Sequence, residues 1–272
     1  MLIYRIITAL ILIPLVLLGI FYLTPIPVAF ISAALFLLAG WEWAGLVGIT
    51  HKPKRILYLL ILLIGMFFLV WVPTLIVLGL ALVTWLVLLY YVLYPNKFAA
   101  NWKASQAWQA PLGIWILTSS WYALNIIYNL PFGQYYLLFM LLFIWSADIG
   151  AYFVGRFWGK HKLAPYISPG KSVEGAIGGI VTTLIVAAIC GYFFYVAIDI
   201  HYLNLVWLGL VTAWVSILGD LCESLIKRQA IVKDSGNLLP GHGGILDRID
   251  SLLSVAPIFA LLLLPLLAFS LI

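Results

Sequence analysis

Acidic residues within apolar segments are the feature of this sequence best suited to chemistry. Asp148, Asp220 and Glu223 lie inside long apolar runs, and Asp247 and Asp250 stand just before the last run. A charged side chain at the centre of a bilayer costs about 2.5–3.5 kcal/mol or more, so such residues are expected to line hydrated sites or to pair with other polar groups. Carboxylates gathered at one depth suit a hard cation such as Mg²⁺, which binds one or two carboxylates together with substrate phosphate.

The segment around Asp220 carries a polar stripe. Its polar side chains recur three or four residues apart and therefore share one helical face: Thr212, Ser216, Asp220, Glu223, Ser224 and Lys227. This face is expected to avoid lipid, either as the wall of a hydrated site or as a buried hydrogen-bond network between helices. The spacing of Glu223 and Lys227 predicts a structural ion pair on one helix. Asp247 and Asp250 are three residues apart, so both carboxylates are expected to point the same way.

A glycine-rich turn precedes the seventh apolar segment and contains Lys171 and Ser172. A turn of this kind that opens a helix presents free N–H groups and the positive end of the helix dipole, which suits a phosphate. The alternative is a simple tight turn, with glycines that allow close helix packing. The turn is not a Walker motif, because the glycine spacing that such a motif requires before Gly-Lys-Ser is absent.

The segment from Ser224 to Asp250 mixes charges in a way that a plain loop does not require. It holds four of the chain's 14 lysines and arginines and three of its nine acidic residues. Its cations are suited to donate hydrogen bonds to phosphoryl oxygens, and they are Lys227, Arg228, Lys233 and Arg248. The run Pro-Gly-His-Gly-Gly allows the backbone to approach a ligand closely, because glycine tolerates unusual dihedral angles. Within it, His242 either orients a phosphate or nucleotide or caps the glycine turn.

The elements that must position these residues are membrane helices. Of the 272 residues, 65% are hydrophobic and 8% are charged, whereas soluble domains carry about 25% charged residues. These values exclude a soluble domain and a disordered chain, and the presence of only two cysteines excludes a disulfide scaffold. Unbroken apolar runs of about twenty residues favour helices over a β-barrel. Nine such segments are predicted, at residues 2–23, 27–48, 56–72, 74–94, 108–130, 135–157, 174–198, 204–226 and 251–271.

The positions of lysine and arginine predict how these segments are oriented. All 14 fall at the N-terminus or in the connections after segments two, four, six and eight. Because cytoplasmic loops are enriched in these residues, the N-terminus is predicted on the cytoplasmic side and the C-terminus outside. The protein is therefore predicted to be an all-α polytopic membrane protein with two regions, residues 1–130 and 131–272, the second carrying cytoplasmic loops 158–173 and 227–250. The pI near 9.1 reflects basic collars that suit anionic lipid headgroups rather than nucleic acid.

The segment from Ser224 to Asp250 resembles the C-terminal pattern of the phosphatidate cytidylyltransferases, also called CDP-diacylglycerol synthases. The shared pattern is Ser-x-x-Lys-Arg-x4-Lys-Asp, followed by Pro-Gly-His-Gly-Gly-x-x-Asp-Arg-x-Asp. The Ser-Ala-Asp148 segment, the run Lys-His-Lys-Leu-Ala-Pro from Lys160 and the turn at Lys171 are also similar to the bacterial members. Ser172 replaces the threonine expected there, but it keeps the hydroxyl.

The first half of the chain agrees with this family only in its apolar character and in the triplet Trp41-Glu42-Trp43. Glu42 is interpreted as an interfacial side chain near the end of a segment. The resemblance therefore covers about the second half of the chain, where the polar motifs are concentrated.

The resemblance implies transfer of the cytidylyl group of CTP to phosphatidic acid, which yields CDP-diacylglycerol and pyrophosphate. The expected cofactor is Mg²⁺, alone or together with a second cation. The resemblance also implies a homodimer in the bacterial cytoplasmic membrane, with the site facing the cytoplasm. The metal ligands are then expected to be Asp148, Asp220, Asp247 and Asp250. The expected catalytic residues are Asp220, Asp247, Lys227 and Arg248. The expected substrate-binding residues are Lys171, Ser172, Ser224, Arg228, Lys233, His242, Gly243 and Gly244.

Two other functions stay open on the residues alone. A CTP-dependent kinase for polyprenol-type lipids would use similar phosphate and metal groups, but it releases CDP and needs a base for its hydroxyl substrate. An ion-coupled transporter would use Asp148 and Asp220 as relay groups, yet transporters typically carry inverted repeats, whereas the polar motifs here crowd into the second half. The Asp-Gly-x-x-Ala-Arg motif of CDP-alcohol phosphatidyltransferases is absent.

Overall fold

The computed structural model describes residues 13–104, 108–194, 200–236, 238 and 243–270, so the predicted site residue His242 lies outside the described residues. Within them the chain forms ten helices and one antiparallel β-hairpin. The strands β1 (Lys162–Ala164) and β2 (Ser168–Ser172) lie between the seventh and eighth helices. The helices are α1 (Ile13–Tyr22), α2 (Pro25–Leu46), α3 (Lys52–Leu69), α4 (Thr74–Leu93), α5 (Pro95–Ala104), α6 (Gln109–Asn129), α7 (Gly133–Trp158), α8 (Val173–Phe194), α9 (Tyr202–Gln229) and α10 (Leu246–Ser270).

Seven of the described helices are long and apolar enough to cross a membrane, namely α2, α4, α6, α7, α8, α9 and α10. The prediction of an all-α polytopic membrane protein is therefore confirmed. Each of the nine predicted segments coincides with a helix, although residues 2–12 of the first lie outside the described part of the chain. The described part of α1 has ten residues, and α3 begins with three cations in its first turn. The count of nine crossings stays a prediction.

Hydropathy does not predict α5, the short helix that follows α4. Phe98 and Trp102, one turn apart on α5, are buried, and their ring centroids are 5.0 Å apart. Both rings also contact Trp108, which stands just before α6. These aromatic contacts fix α5 against the bundle. A window of about 19 residues averages such a short helix with its polar surroundings and so does not detect it.

Helices α7 and α8 pack closely because glycines stand where they meet. A Cβ atom at Gly175 would lie 2.9 Å from the carbonyl oxygen of Ala151, and one at Gly179 would lie 2.7 Å from that of Ala147. Small residues let membrane helices approach at backbone distance. The close approach brings the face of α7 that carries Asp148 to the same space as the first turn of α8.

The last helix, α10, joins both halves of the chain. It packs against α7 and α9 and also against α2, α4 and α6. The Ser120 hydroxyl on α6 donates to the Leu253 carbonyl on α10 at 2.6 Å, and the Ser216 hydroxyl on α9 donates to Ser251 on α10 at 3.0 Å. Asp247 therefore lies at the N-terminal end of a helix that is fixed by contacts with both halves of the chain.

Candidate active site

A cavity of about 690 Å³ lies where α7 and α9 end and α8 and α10 begin. Its walls come from these four helices, from the β-hairpin and from the segment before α10. Eight of the predicted site residues line it: Asp148, Lys171, Ser172, Asp220, Lys227, Asp247, Arg248 and Asp250. The structure thus brings side chains that are up to about one hundred residues apart in the sequence into one polar space.

Two lysines pair with aspartates of this cavity. Lys171 of β2 forms an ion pair with Asp220 of α9. The ammonium group of Lys227 on α9 lies 2.5 Å from Glu223 on the same helix and 2.7 Å from Asp247 on α10. The predicted pair of Glu223 and Lys227 is confirmed, and the contact with Asp247 extends it to a second helix. Both lysines therefore neutralise carboxylates and also tie the walls of the cavity to one another.

Asp247 is held on both of its oxygens at the start of α10. Its Oδ1 accepts from Lys227, and its Oδ2 accepts from the backbone N–H groups of Gly244 at 2.8 Å and Ser235 at 3.1 Å. Gly243 has a φ of +81°, and a Cβ atom there would lie 2.7 Å from the same oxygen. The two described glycines of the Pro-Gly-His-Gly-Gly run therefore bring the backbone close to an aspartate of the protein itself.

The glycine-rich segment before α8 forms the β-hairpin rather than a simple turn. The Ser172 hydroxyl accepts from the backbone N–H three residues further on, at 3.1 Å, and so caps the start of α8. In the first turn of α8, Glu174 accepts from the backbone N–H groups of Lys160 and His161 and lies 2.6 Å from the Nδ1 atom of His161. These contacts fasten both ends of the hairpin, which carries Lys171 at the cavity.

Three predicted substrate-binding residues occupy other surroundings. The Ser224 hydroxyl is buried and donates to Oδ1 of Asp220 at 3.4 Å, so it acts on a residue of the cavity. Arg228 is exposed, and its Nε atom donates to the carbonyl of Ile167, between the two strands of the hairpin, at 3.2 Å. Lys233 is exposed in the segment after α9.

Glu42 of α2 is a functional candidate that sequence reasoning missed. Only 4% of the residue is exposed, and its carboxylate accepts from the backbone N–H groups of Ile245 at 3.1 Å and Leu246 at 2.8 Å. The hydroxyl of Ser235 donates to it at 3.1 Å. The interpretation of Glu42 as an interfacial side chain is therefore wrong. Its partners lie about 200 positions away in the sequence, so no local pattern indicates them.

Tyr152 and Arg156 of α7 also line the cavity and were not predicted as site residues. They follow Asp148 at intervals of four, which places all three on one helical face. The guanidinium of Arg156 donates to the Tyr152 hydroxyl at 2.6 Å. This spacing was the signal in the sequence that could have identified them. The two residues extend the polar wall of the cavity towards the end of α7, and Arg156 adds one further cation.

The oxygen donors of the cavity fit a hard divalent cation. Aspartates from α7, α9 and α10 line one space, and oxygen is the ligand that Mg²⁺ prefers. Within the described residues, no three Asp, Glu, His or Cys side chains are grouped so as to hold a metal ion by themselves. A cation here would therefore be bound by one or two aspartates together with phosphate oxygens of a ligand, which is the usual pattern for Mg²⁺.

Comparison with known proteins shows similarity to cytidylyltransferases along most of the chain. Residues 3–266 match the family described as "Cytidylyltransferase family". A protein of Pseudomonas aeruginosa named phosphatidate cytidylyltransferase is 41% identical over 265 residues, which cover 95% of this chain and 96% of that protein.

Two further relatives carry the same name. The protein of Haemophilus influenzae is 36% identical over 285 aligned positions, covering 94% of this chain and 96% of its own length. The protein of Bacillus subtilis is 50% identical over 132 residues, covering 48% of each chain. The similarity of this chain to the proteins of Pseudomonas aeruginosa and Haemophilus influenzae includes the N-terminal helices, where sequence motifs alone gave little evidence of family membership.

Proposed function

This chain belongs to the cytidylyltransferase family, and on that premise we propose that it transfers the cytidylyl group of CTP to phosphatidate, giving CDP-diacylglycerol and pyrophosphate. The observation that carries the proposal is the cavity in which aspartates and lysines from separate elements meet. Such a mixture suits a reaction between two polyanions, because each phosphate group needs cationic partners while the aspartates retain a divalent cation.

The chemistry requires charge neutralisation more than a base. The phosphate monoester of phosphatidate is already anionic near neutral pH, and one of its oxygens attacks the α-phosphorus of CTP. The bond from this phosphorus to the oxygen bridging the β-phosphate breaks, and the electron pair leaves with pyrophosphate. Positioning the two substrates in line and balancing their charges are therefore the tasks left to the protein.

The cations that line the cavity are suited to this task. Lys171, Lys227, Arg156 and Arg248 surround a space that is large enough for phosphate groups of two substrates. Arginine offers a planar fork of donors to phosphate, whereas lysine acts as a compact charge. We assign these four residues to the phosphate oxygens, with Ser172 at the start of α8 as a neutral donor.

Mg²⁺ is the proposed cofactor. Asp220 and Asp247 are its proposed direct ligands, and Asp148 and Asp250 are proposed to contact the ion through water. When bound, the ion would supply positive charge to the phosphates of the nucleotide. Lys171 and Lys227, which pair with the first two aspartates, would then have donors available for phosphate oxygens, while Lys227 keeps its contact with Glu223.

We propose that the reaction takes place at the cytoplasmic side of the bacterial inner membrane. One substrate is a lipid and the other is soluble, so the site must lie at the headgroup level of the leaflet that faces CTP. The cavity adjoins the connections that carry most of the lysines and arginines, as expected for cytoplasmic loops.

The test supplies CTP labelled at the α-phosphate to purified protein together with phosphatidate or a polyprenol. Label that appears in the lipid, with release of pyrophosphate, supports the proposed reaction. Free labelled CDP with unlabelled lipid would instead identify a CTP-dependent lipid kinase. Addition of a chelator is expected to stop the transfer, and Mg²⁺ in excess is expected to restore it.

A further inference from the structure

The N-terminal half of the chain contributes a buried carboxylate to the segment that carries the site. Glu42 lies on α2, yet its hydrogen-bond partners are Ser235, in the segment between α9 and α10, and Ile245 and Leu246, where this segment ends and α10 begins. Ile245 and Leu246 provide N–H groups that begin α10, where the helix has no internal acceptors for them. A carboxylate at this position also interacts favourably with the positive end of the helix dipole.

The same segment is tied to Asp247 by a second set of bonds. The backbone N–H of Ser235 donates to Asp247, while the hydroxyl of Ser235 donates to Glu42. Gly244 donates to Asp247, and Ile245, the next residue, donates to Glu42. Glu42 and Asp247 thus hold the segment through adjacent groups. Because Gly244 and Ile245 are consecutive residues, a displacement of Glu42 would also shift the backbone group that is bonded to Asp247.

Packing shows that the position of Glu42 leaves little room for change. A Cβ atom at Gly236 or at Gly244 would collide with the carboxylate of Glu42. The next residue, Trp43, is 2% exposed, and its indole N–H donates to the carbonyl of Gln109 at 3.1 Å. The helix that carries Glu42 is therefore anchored to α6 directly beside the carboxylate.

We propose that Glu42 is a positioning residue for the transfer reaction: by holding Ser235 and the first N–H groups of α10, it fixes Asp247 and Arg248 in the geometry that the reaction needs. The N-terminal helices then contribute to catalysis, through this carboxylate, in addition to anchoring the protein in the membrane. The inference rests on the proposed function, because it concerns the geometry of that same cavity.

The first test is Glu42→Gln, which keeps the size of the side chain but replaces one acceptor oxygen with an NH₂ group. That group cannot accept from the N–H of Leu246 or Ile245, so one end of the segment is released. We expect kcat per folded molecule to fall about tenfold or more, because small displacements of reacting groups have large effects on rate. The KM values for CTP and phosphatidate are expected to change less than kcat. Transfer of α-phosphate label to lipid and the thermal unfolding midpoint are measured on the same samples.

The matched control is Ser120→Ala. It removes another buried hydrogen bond between the N-terminal half and α10, at Leu253, away from the segment that Glu42 holds. Its kcat is expected to stay within about twofold of the parent protein, since distant sites act independently. If Glu42→Gln keeps the parent kcat, or if Ser120→Ala loses as much kcat for an equal drop in unfolding midpoint, the role of Glu42 is only structural and the proposal fails.

Ser235→Ala in the parent protein provides a test that does not depend on the folding of the Glu42 variant, and its combination with Glu42→Gln shows whether the two residues act together. It removes the hydroxyl bond to Glu42 and keeps the backbone bond to Asp247. We expect kcat to fall by about threefold in the parent protein and to show no further fall in the Glu42→Gln background, because both changes break one network. An unchanged kcat in Ser235→Ala, or fully additive losses, overturns the proposal. If the parent protein itself transfers no label to lipid, the proposed function fails instead.

Discussion

Lys171 and Lys227 determine the charge balance of the cavity at the scale of single residues. Each is paired with an aspartate of another element, Asp220 and Asp247 respectively. Lys227 and Asp247 are largely buried, so removal of either one would leave the other charge uncompensated. The pair of Lys171 and Asp220 is partly exposed and is screened more by water. The aspartates therefore have two proposed tasks, which are to hold a cation when substrates are bound and to hold the lysines in place before that.

Replacing Asp220 or Asp247 with asparagine tests this double role. Either change is expected to lower kcat by about 10²-fold or more, since groups that balance charge in a transition state have effects of this size. Transfer of α-phosphate label to lipid measures the loss, and recovery of folded protein from membranes shows that insertion is preserved. Asp199→Asn, at a position that the sequence assigns to an outer connection, serves as the matched control. Normal turnover and Mg²⁺ dependence in either cavity variant would contradict the assignment.

At the scale of elements, the sequence predicts those structures whose signal is local. Long apolar runs predict the membrane helices, and the spacing of three or four residues predicts the polar face of α9 and the pair of Glu223 and Lys227. The β-hairpin is not predicted, because its pairing depends on Glu174 and His161 closing its ends rather than on alternating hydrophobic residues. The role of Glu42 is not predicted either, since its partners are distant in the sequence and contact it only after the bundle has formed.

The contact between α7 and α8 gives a prediction at this scale. Gly179→Ala places a Cβ atom 2.7 Å from the carbonyl oxygen of Ala147, and this backbone atom cannot move aside without separating the helices. We expect the free energy of unfolding to fall by about 1–3 kcal/mol. Gly79→Ala is the matched control, because nothing lies within 4 Å of the added atom on α4. A lower thermal unfolding midpoint in detergent for Gly79→Ala than for Gly179→Ala would show that the close contact does not support the fold.

At the scale of the whole molecule, the cavity and the basic connections lie at the same end of the bundle. α7 and α9 end there, α8 and α10 begin there, and the β-hairpin contributes Lys171 to the wall of the cavity. Lys160 and Lys162 lie just before and at the start of the hairpin. The connection between α3 and α4 contains no lysine or arginine. Because cytoplasmic loops concentrate these cations, the cavity is predicted to face the cytoplasm, where CTP is available. The proposed reaction therefore requires that the cavity opens on the cytoplasmic face of the membrane.

Single cysteines at the two ends of the bundle test this orientation. Tyr166 lies in the hairpin and is 86% exposed, and Trp71 lies in the connection after α3 and is 76% exposed. The native cysteines, Cys190 and Cys222, are buried and are replaced with alanine in the parent protein to remove background. A membrane-impermeant maleimide applied from the outer side of the inner membrane is expected to label Trp71→Cys and to spare Tyr166→Cys, and inside-out vesicles are expected to show the reverse. Labelling of Tyr166→Cys from the outer side would put the cavity on the face of the membrane that lacks CTP, and the proposed reaction could not then take place there.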